Sequence, residues 1–119
     1  MKKENFEKRK DIRFPQIGRV DISEISSMPG ILDDISLSGL KMHFPYSISL
    51  NLEKEYKLKV LLSNFSDNSP LQLLSRPVWL REDENETQIG FQNLYSPDDS
   101  RLKDYIAELK KQNEFPEIK

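Results

Sequence analysis

The chain of 119 residues contains no cysteine, one histidine and no long hydrophobic run. The lack of cysteine excludes disulfides and thiol chemistry, and it is typical of proteins in a reducing cytosol. With one histidine, a zinc site would need carboxylates almost exclusively, which is unusual. No apolar segment approaches the roughly 18 residues of a membrane span, and no apolar stretch follows the N-terminal lysines as in a signal peptide. We therefore expect a cytoplasmic protein without membrane insertion, metal or cofactor.

Motifs of common enzyme classes are also missing from the sequence. It contains no G-x-S-x-G, no Walker-type glycine loop and no H-E-x-x-H. His43 falls on the outward side of a predicted strand, where a surface role is favoured over catalysis. Carboxylate pairs such as Asp33–Asp34 and Asp98–Asp99 are common in turns and helix caps. The sequence thus favours a protein that is not an enzyme.

Charge is distributed unevenly along the chain. The first 13 residues carry six lysines and arginines against three acidic residues, a net charge of +3, whereas the whole chain carries −2, which leaves −5 for the remainder. A basic arm on an acidic body indicates an anionic ligand that is met locally. On composition alone, a solvated leader without a ligand is the alternative.

Alternation of apolar and polar residues at period two predicts several short strands. The predicted strands cover residues 18–23, 31–36, 40–44, 56–62, 71–81 and 87–94. A bend is expected near Pro77, because proline cannot donate to a central ladder. The composition, 36% hydrophobic and 32% charged, fits a globular domain with a single modest core.

The last part of the chain changes to a helical period. Its apolar stripe at i, i+3, i+4 and i+7 consists of Leu102, Tyr105, Ile106 and Leu109. Ser96 is the predicted N-cap, with Pro97 at the first helical position. Short strands closed by one helix predict a small antiparallel barrel or sandwich, which the helix plugs or flanks.

Two short motifs have the chemistry to bind a nucleotide that contains guanine. In R-x-x-x-R, Arg9 and Arg13 offer donor forks that fit phosphate and the O6/N7 edge of guanine. In D-x-S-x-x-G, Asp34 and Ser36 project to the same side of an extended backbone, and a carboxylate can accept from guanine N1 and N2. Gly39 permits a special turn conformation or a close backbone approach. Each motif alone is weak, since the first recurs by chance and the second is common in turns.

Taken in this order, the motifs resemble those of the PilZ domain, a bacterial receptor module for the second messenger cyclic di-GMP. The resemblance extends from about Arg9 to Leu109 and includes the closing segments RPVWL and IGFQNL. It implies a six-stranded antiparallel β-barrel with a C-terminal α-helix. It also implies a protein without enzymatic activity, which binds cyclic di-GMP at the barrel surface under an N-terminal arm.

The resemblance also assigns roles to residues. Arg9 and Arg13 would grip guanine edges and phosphates, Asp34 and Ser36 would bind guanine and nearby ligand atoms, and Gly39 would allow close approach.

Three further residues are weaker candidates for ligand contact: Lys8, Lys10 and Trp79. Many family members have an arginine where this chain has Lys8, and a lysine meets phosphate only as a point charge. The difference bears on whether one ligand molecule or a stacked pair is held. For Trp79, a structural role at the barrel rim is at least as well favoured as stacking on a base. Arg81 could reach a phosphate, but a surface role is favoured.

The predicted organisation is an arm at 1–15, a barrel with its helix at 16–111 and a loose tail at 112–119. The predicted function is a cyclic di-GMP receptor whose arm closes on the nucleotide and changes a surface. An effector protein of the motility, polysaccharide-synthesis or regulatory machinery would recognise that surface. One alternative is a degenerate PilZ-like scaffold without nucleotide binding, and another is a small nucleic-acid-binding barrel. The acidic body and the lack of aromatics interleaved with cations disfavour a nucleic-acid partner.

Overall fold

The structure, a computed structural model, describes residues 14–62 and 69–114. Within them the chain forms six strands and a helix. The elements are β1 (Phe14–Asp21), β2 (Gly30–Ile35), β3 (Gly39–Phe44), β4 (Tyr56–Leu62), β5 (Leu71–Asp83), β6 (Glu86–Tyr95) and α1 (Asp99–Glu114).

The strands form a closed antiparallel barrel in the order β1-β2-β3-β6-β5-β4. The barrel closes because β1 pairs with β4 as well as with β2. Closure gives each of the six described strands a partner on both sides, which removes the usual route to edge-to-edge aggregation. The predicted six-stranded antiparallel barrel with a C-terminal helix is confirmed.

The inward side chains of the alternating strands fill the barrel and form its core. In β4 the inward set is Tyr56, Leu58, Val60 and Leu62, all buried. The largest side chains with almost no exposure are Phe44 and Phe91. Each such burial contributes roughly 1.5–3 kcal/mol relative to an exposed position. The alternation that predicted the strands is therefore the pattern that encloses the core.

β1 begins four residues earlier than predicted, at Phe14. Its register with β2 shifts between Pro15 and Gly18, so the period-two pattern is broken at the start of the strand. The bend expected near Pro77 is a bulge. Pro77 pairs with Phe91 and the next paired residue is Trp79, so one residue between them is unpaired.

α1 begins at Asp99, and its first hydrogen bond runs from Leu102 N to the Asp98 carbonyl at 3.0 Å. Asp98 is therefore the N-cap, and the prediction of Ser96 as the cap and Pro97 as the first helical residue was wrong. Ser96 Oγ instead accepts from Asp98 N at 2.9 Å and donates to the Gln72 carbonyl at 2.6 Å. Asp98 Oδ2 accepts from Gln72 N at 2.8 Å, so the helix start is attached to β5.

The apolar stripe predicted for α1 is buried in the core. Its members are Leu102, Tyr105, Ile106 and Leu109. Among the helices of the described segments, none combines the length and the apolar character needed to cross a lipid bilayer.

Candidate functional site on the outer wall of the barrel

The D-x-S-x-x-G motif forms the turn between β2 and β3, and Ser36 is part of its internal structure. Ser36 N donates to the Gly39 carbonyl at 2.8 Å. The Ser36 hydroxyl accepts from Gly39 N and donates to the Gly39 carbonyl, both at 3.2 Å. Ser36 is only 1% exposed. The serine thus holds the turn together, and its ligand contact stays a prediction.

Gly39 is required by packing and not by its backbone angles. Among the described residues no glycine has a positive φ, so the expectation of a special turn conformation was wrong. A Cβ on Gly39 would lie 2.1 Å from the carbonyl oxygen of Phe91, in the paired strand β6. The close approach at Gly39 is therefore made by the barrel's own backbone, and its role towards a ligand stays a prediction.

A bulge in β2 places two successive carboxylates on the outer surface. The register between β2 and β3 shifts between Leu32 and Asp34, which leaves Asp33 as an extra residue. Leu32 and Ile35 are buried on either side, whereas Asp33 and Asp34 are both half-buried. In an unbulged strand one of the two would face the core.

His43 holds the first of these carboxylates. Its Nδ1 lies 3.0 Å from both carboxylate oxygens of Asp33. The outward position predicted for His43 is correct, but the contact was not predicted. It depends on the bulge, which the residue spacing does not show.

Asp34 lies in a row of residues that crosses four strands on the same wall. The Cα register pairs Asp34 with Lys41, Lys41 with Gly90, and Gly90 with Trp79. Strands are about 4.8 Å apart, so the row spans about 14 Å. We call Asp34, Lys41, Gly90 and Trp79 the site row. Lys41 was missed by sequence reasoning, because only the register between β2 and β3 places it beside Asp34.

The indole of Trp79 packs on Gly90. A Cβ on Gly90 would lie 2.2 Å from Trp79 Nε1, so only glycine leaves room for the ring. The side chain is 38% exposed. The tryptophan therefore lies on the outer surface, where an exposed aromatic ring could stack on a base. The neighbouring Arg81 donates to Gln88 Oε1 at 3.4 Å and is exposed.

The chain enters the barrel beside the D-x-S-x-x-G turn. Phe14 pairs with Ile35, and Pro15 pairs with Asp34. The basic candidates of the leader lie outside the described residues: Lys8, Arg9, Lys10 and Arg13. Along residues 14–62 and 69–114, no three acidic or histidine side chains gather closely enough to hold a metal ion.

The family model of the PilZ domain matches residues 7–108, a range that includes both motifs. The chain belongs to the PilZ domain family. A search of curated proteins found no match. This PilZ domain is similar in fold to the Bacillus subtilis inhibitor of motility MotI/DgrA, with a TM-score of 0.74 at 13% identity over 87% of this chain. It is similar also to Escherichia coli YcgR in complex with c-di-GMP, with a TM-score of 0.64 at 17% identity over 89% of this chain.

Both likenesses are likenesses of fold, because the identities are low. The matched region is 52% of the MotI chain and 47% of the YcgR chain, so this PilZ domain spans about half the length of these proteins.

Proposed function

We propose that this PilZ domain binds cyclic di-GMP at the site row and acts as a receptor or adaptor without catalytic activity. The observation that carries the proposal is the pairing of Pro15 with Asp34. It means that the described chain begins next to the carboxylate predicted to bind guanine. Phe14, which follows the first motif directly in sequence, pairs with Ile35 inside the second motif.

The reach of the leader supports the same proposal. Arg13 is bonded directly to Phe14, and Arg9 precedes Phe14 by five residues. An extended chain covers about 3.5 Å per residue, so Arg9 is at most about 17 Å from the start of β1. Both arginines are therefore within range of a ligand on the site row. Of the predicted arm at 1–15, residues 1–13 would close on the nucleotide, since Phe14 and Pro15 are paired in β1. The predicted tail at 112–119, whose first three residues belong to α1, would lie outside the site.

The chemistry of the site row complements that of the leader. Asp34 would accept hydrogen bonds from guanine N1 and N2, and Trp79 would present a ring face to a base. Lys41 would add a positive charge for phosphate. Arg9 and Arg13 would supply bidentate donors, which no residue of the site row provides. Lys8 and Lys10 would approach phosphates as point charges.

One of the solved structures supports the ligand. The YcgR structure holds c-di-GMP, and MotI is an inhibitor of motility. For this chain we propose the same ligand in the cytoplasm. The proposed output is a changed surface that an effector of the motility, polysaccharide-synthesis or regulatory machinery binds.

Calorimetric titration of the full chain with cyclic di-GMP tests the proposal. Binding is expected, and Arg9→Ala or Arg13→Ala should each weaken it about tenfold to a hundredfold, since a bidentate arginine–guanine contact contributes roughly 1–3 kcal/mol. Lys3→Ala is a matched control in the same leader and should change affinity little. GMP should bind poorly, because it offers fewer simultaneous contacts. Unchanged affinity in both arginine variants would contradict the assignment.

Trp79 is the one tryptophan of the chain, so its fluorescence gives a second, local signal. Stacking on a guanine should change its emission as cyclic di-GMP is added.

The degenerate scaffold is the second candidate, and the packing of the turn favours it in one respect. Ser36 and Gly39 are explained by the turn and by β6, so the motif would persist without a ligand. Absence of binding by both calorimetry and Trp79 fluorescence would favour the scaffold.

A further inference from the structure

A second surface lies on the barrel wall opposite the centre of the site row. It is an open groove of about 690 Å³ on β1, β4, the start of β5 and the end of β6. In the closed order β1-β2-β3-β6-β5-β4, this wall is across the barrel from β3. Its cationic lining residues are Arg19, Lys57 and Lys59. We call this surface the basic groove.

The alternation of β4 produces the basic side of the groove. Lys57 and Lys59 are exposed between the buried residues of this strand, so both point away from the core. Lys59 pairs across the sheet with Asp21 and with Gln72. Residues two apart on a strand point to the same face, so Lys57 and Lys59 lie along one wall of the groove.

The positive charge of the groove is only partly neutralised within the molecule. Arg19 Nε contacts Asp21 Oδ1 at 3.1 Å. Neither Lys57 nor Lys59 forms an ion pair with a carboxylate of the described segments; the nearby Glu24 accepts from Lys57 N at 3.2 Å and pairs with Lys54 at 3.4 Å. Four cations, Arg19, Lys54, Lys57 and Lys59, thus face two carboxylates, Asp21 and Glu24, which leaves a local net charge of +2 on a chain whose net charge is −2. That local sign reversal points to an acidic partner.

The apolar side of the groove consists of Leu74 and Tyr95. Lys57 pairs with Leu74, and Leu74 pairs with Tyr95, so a lysine, a leucine and a tyrosine succeed one another across three strands. Tyr95 is 65% exposed, although large aromatic side chains usually bury more of their surface. Exposed tyrosines beside a cationic rim are typical anchors of protein interfaces.

We propose that the basic groove binds an acidic segment of a partner protein that also carries an apolar side chain. The apolar side chain would pack on Leu74 and Tyr95, and carboxylates would meet Lys57 and Lys59. The proposal deepens the adaptor part of the proposed function by naming the kind of partner. It does not require nucleotide binding, because the groove shares no residue with the site row.

A second copy of this chain is the competing occupant. The β5–β6 hairpin carries Glu82, Asp83, Glu84 and Glu86, and it lies at the far end of β5 from the groove. A copy bound through this hairpin would be attached head to tail, and such contacts propagate into open chains unless they close a ring. The test therefore includes the oligomeric state.

Fluorescence anisotropy with a labelled synthetic peptide tests the proposal on the full chain. The probe is a twelve-residue peptide (about 40 Å if extended) with glutamates flanking a central leucine and tryptophan; the control peptide has lysine in place of each glutamate. Saturable binding of the acidic peptide is expected, weakening with salt because the groove is open to solvent. Lys57→Glu/Lys59→Glu should raise the Kd at least about tenfold, and Tyr95→Ala should raise it several-fold.

The matched control is Lys110→Glu/Lys111→Glu, which changes the net charge by the same amount on the exposed part of α1. It should leave the Kd within about twofold. Equal loss in the two double variants would mean diffuse attraction and would overturn the proposal, as would absence of binding by the acidic peptide. Sedimentation that shows self-association of the wild-type chain, lost in Lys57→Glu/Lys59→Glu, would assign the groove to a second copy instead.

Every titration is repeated with cyclic di-GMP present. A peptide that binds while cyclic di-GMP does not would support the groove and reject the receptor. The reverse result would reject the groove and retain the receptor.

Discussion

β4, the central strand of the basic groove, is more regular than the strands that carry the site row. The wall with the basic groove contains β4, in which buried and exposed residues alternate without interruption. The wall with the site row contains the bulge at Asp33, the bulge after Pro77, and two glycines, Gly39 and Gly90, that a Cβ would force away from their neighbours. In β4 the alternation forms both the core and the groove, whereas the irregular positions of β2 and β5 arrange the surface to which we assign the ligand.

The largest expected effect is a difference in stability between substitutions at Gly39 and Gly90, the two glycines on the wall with the site row. In Gly39→Ala the new Cβ meets the carbonyl oxygen of Phe91, which is backbone in a paired strand and cannot move without disturbing the ladder. Overpacking of this kind costs about 1–3 kcal/mol and occasionally more, and we expect the upper part of that range. Thermal unfolding followed by circular dichroism measures the loss.

Gly90→Ala is the matched substitution. The new Cβ meets the indole of Trp79, a partly exposed side chain that can swing outward, so the loss of stability should be about 1 kcal/mol or less. Emission from this single tryptophan should shift to the red as the ring becomes more exposed. Equal destabilisation by the two substitutions would contradict the distinction between backbone and side-chain contacts.

The next effect compares one aspartate from each wall. Asp34→Ala should weaken cyclic di-GMP binding about tenfold or more, because hydrogen bonds to charged groups contribute roughly 1.5–3 kcal/mol. Asp21→Ala, on the wall of the basic groove, should leave that affinity unchanged. Calorimetric titration of both variants gives the comparison. A similar loss in Asp21→Ala would mean that the walls do not differ in ligand binding.

A smaller effect concerns the attachment of α1. Asp98→Ala removes the acceptor for Gln72 N and the ion-pair partner of Arg101, and loss of such a hydrogen bond costs about 0.5–1.5 kcal/mol. Asp99→Ala, one residue later, removes a carboxylate whose described partner is the exposed Lys103. It should cost less, about 0.3–1 kcal/mol for a charge near a helix N-terminus. Urea unfolding curves of the two variants should therefore differ in midpoint.

The smallest effect is a pH dependence at Glu24, beside the basic groove. A hydrogen bond from Lys57 N, followed by contacts with Lys54, lowers the pKa of Glu24, although partial burial opposes the shift. Since the folded pKa lies below the unfolded one, Glu24 stabilises the fold above the unfolded pKa. That stabilisation is lost as the pH falls through the folded pKa. Glu24→Gln should therefore lower the melting temperature at pH 7 and have less effect near pH 3.

Alternation predicted the strands, as with Leu40, Met42 and Phe44 in β3, but left a barrel and a sandwich open. The six-stranded barrel was implied by the resemblance to the PilZ domain. Sequence reasoning placed the start of β1 too late, since the irregularity after Pro15 hides the period there. It chose Ser96 as the cap because local preferences favour serine before proline. The helix instead begins after Asp98, and the Ser96 hydroxyl binds Gln72, which is 24 residues away.

The site could be predicted only in part. The D-x-S-x-x-G spacing identified the turn and Asp34, but the neighbours of Asp34 on the wall depend on register. Lys41 and Trp79 lie seven and 45 residues beyond Asp34, and only strand pairing brings them into one row. The basic groove was missed for the same reason. Lys57, Leu74 and Tyr95 lie on the consecutive strands β4, β5 and β6, but only the register of those strands places them side by side.

The corner where β6 gives way to α1 has a consequence for how the barrel would come apart. Ser96 and Asp98 bind both backbone groups of Gln72 with their side chains, as a further residue of β6 would do with its main chain. The edge of β5 at Gln72 is thereby held by the Ser96 hydroxyl and the Asp98 carboxylate. A chain shortened before Ser96 would lose these two hydrogen bonds together with the buried apolar stripe of α1. Local unfolding should begin at the start of β5, so the amide hydrogens there would be the first to exchange.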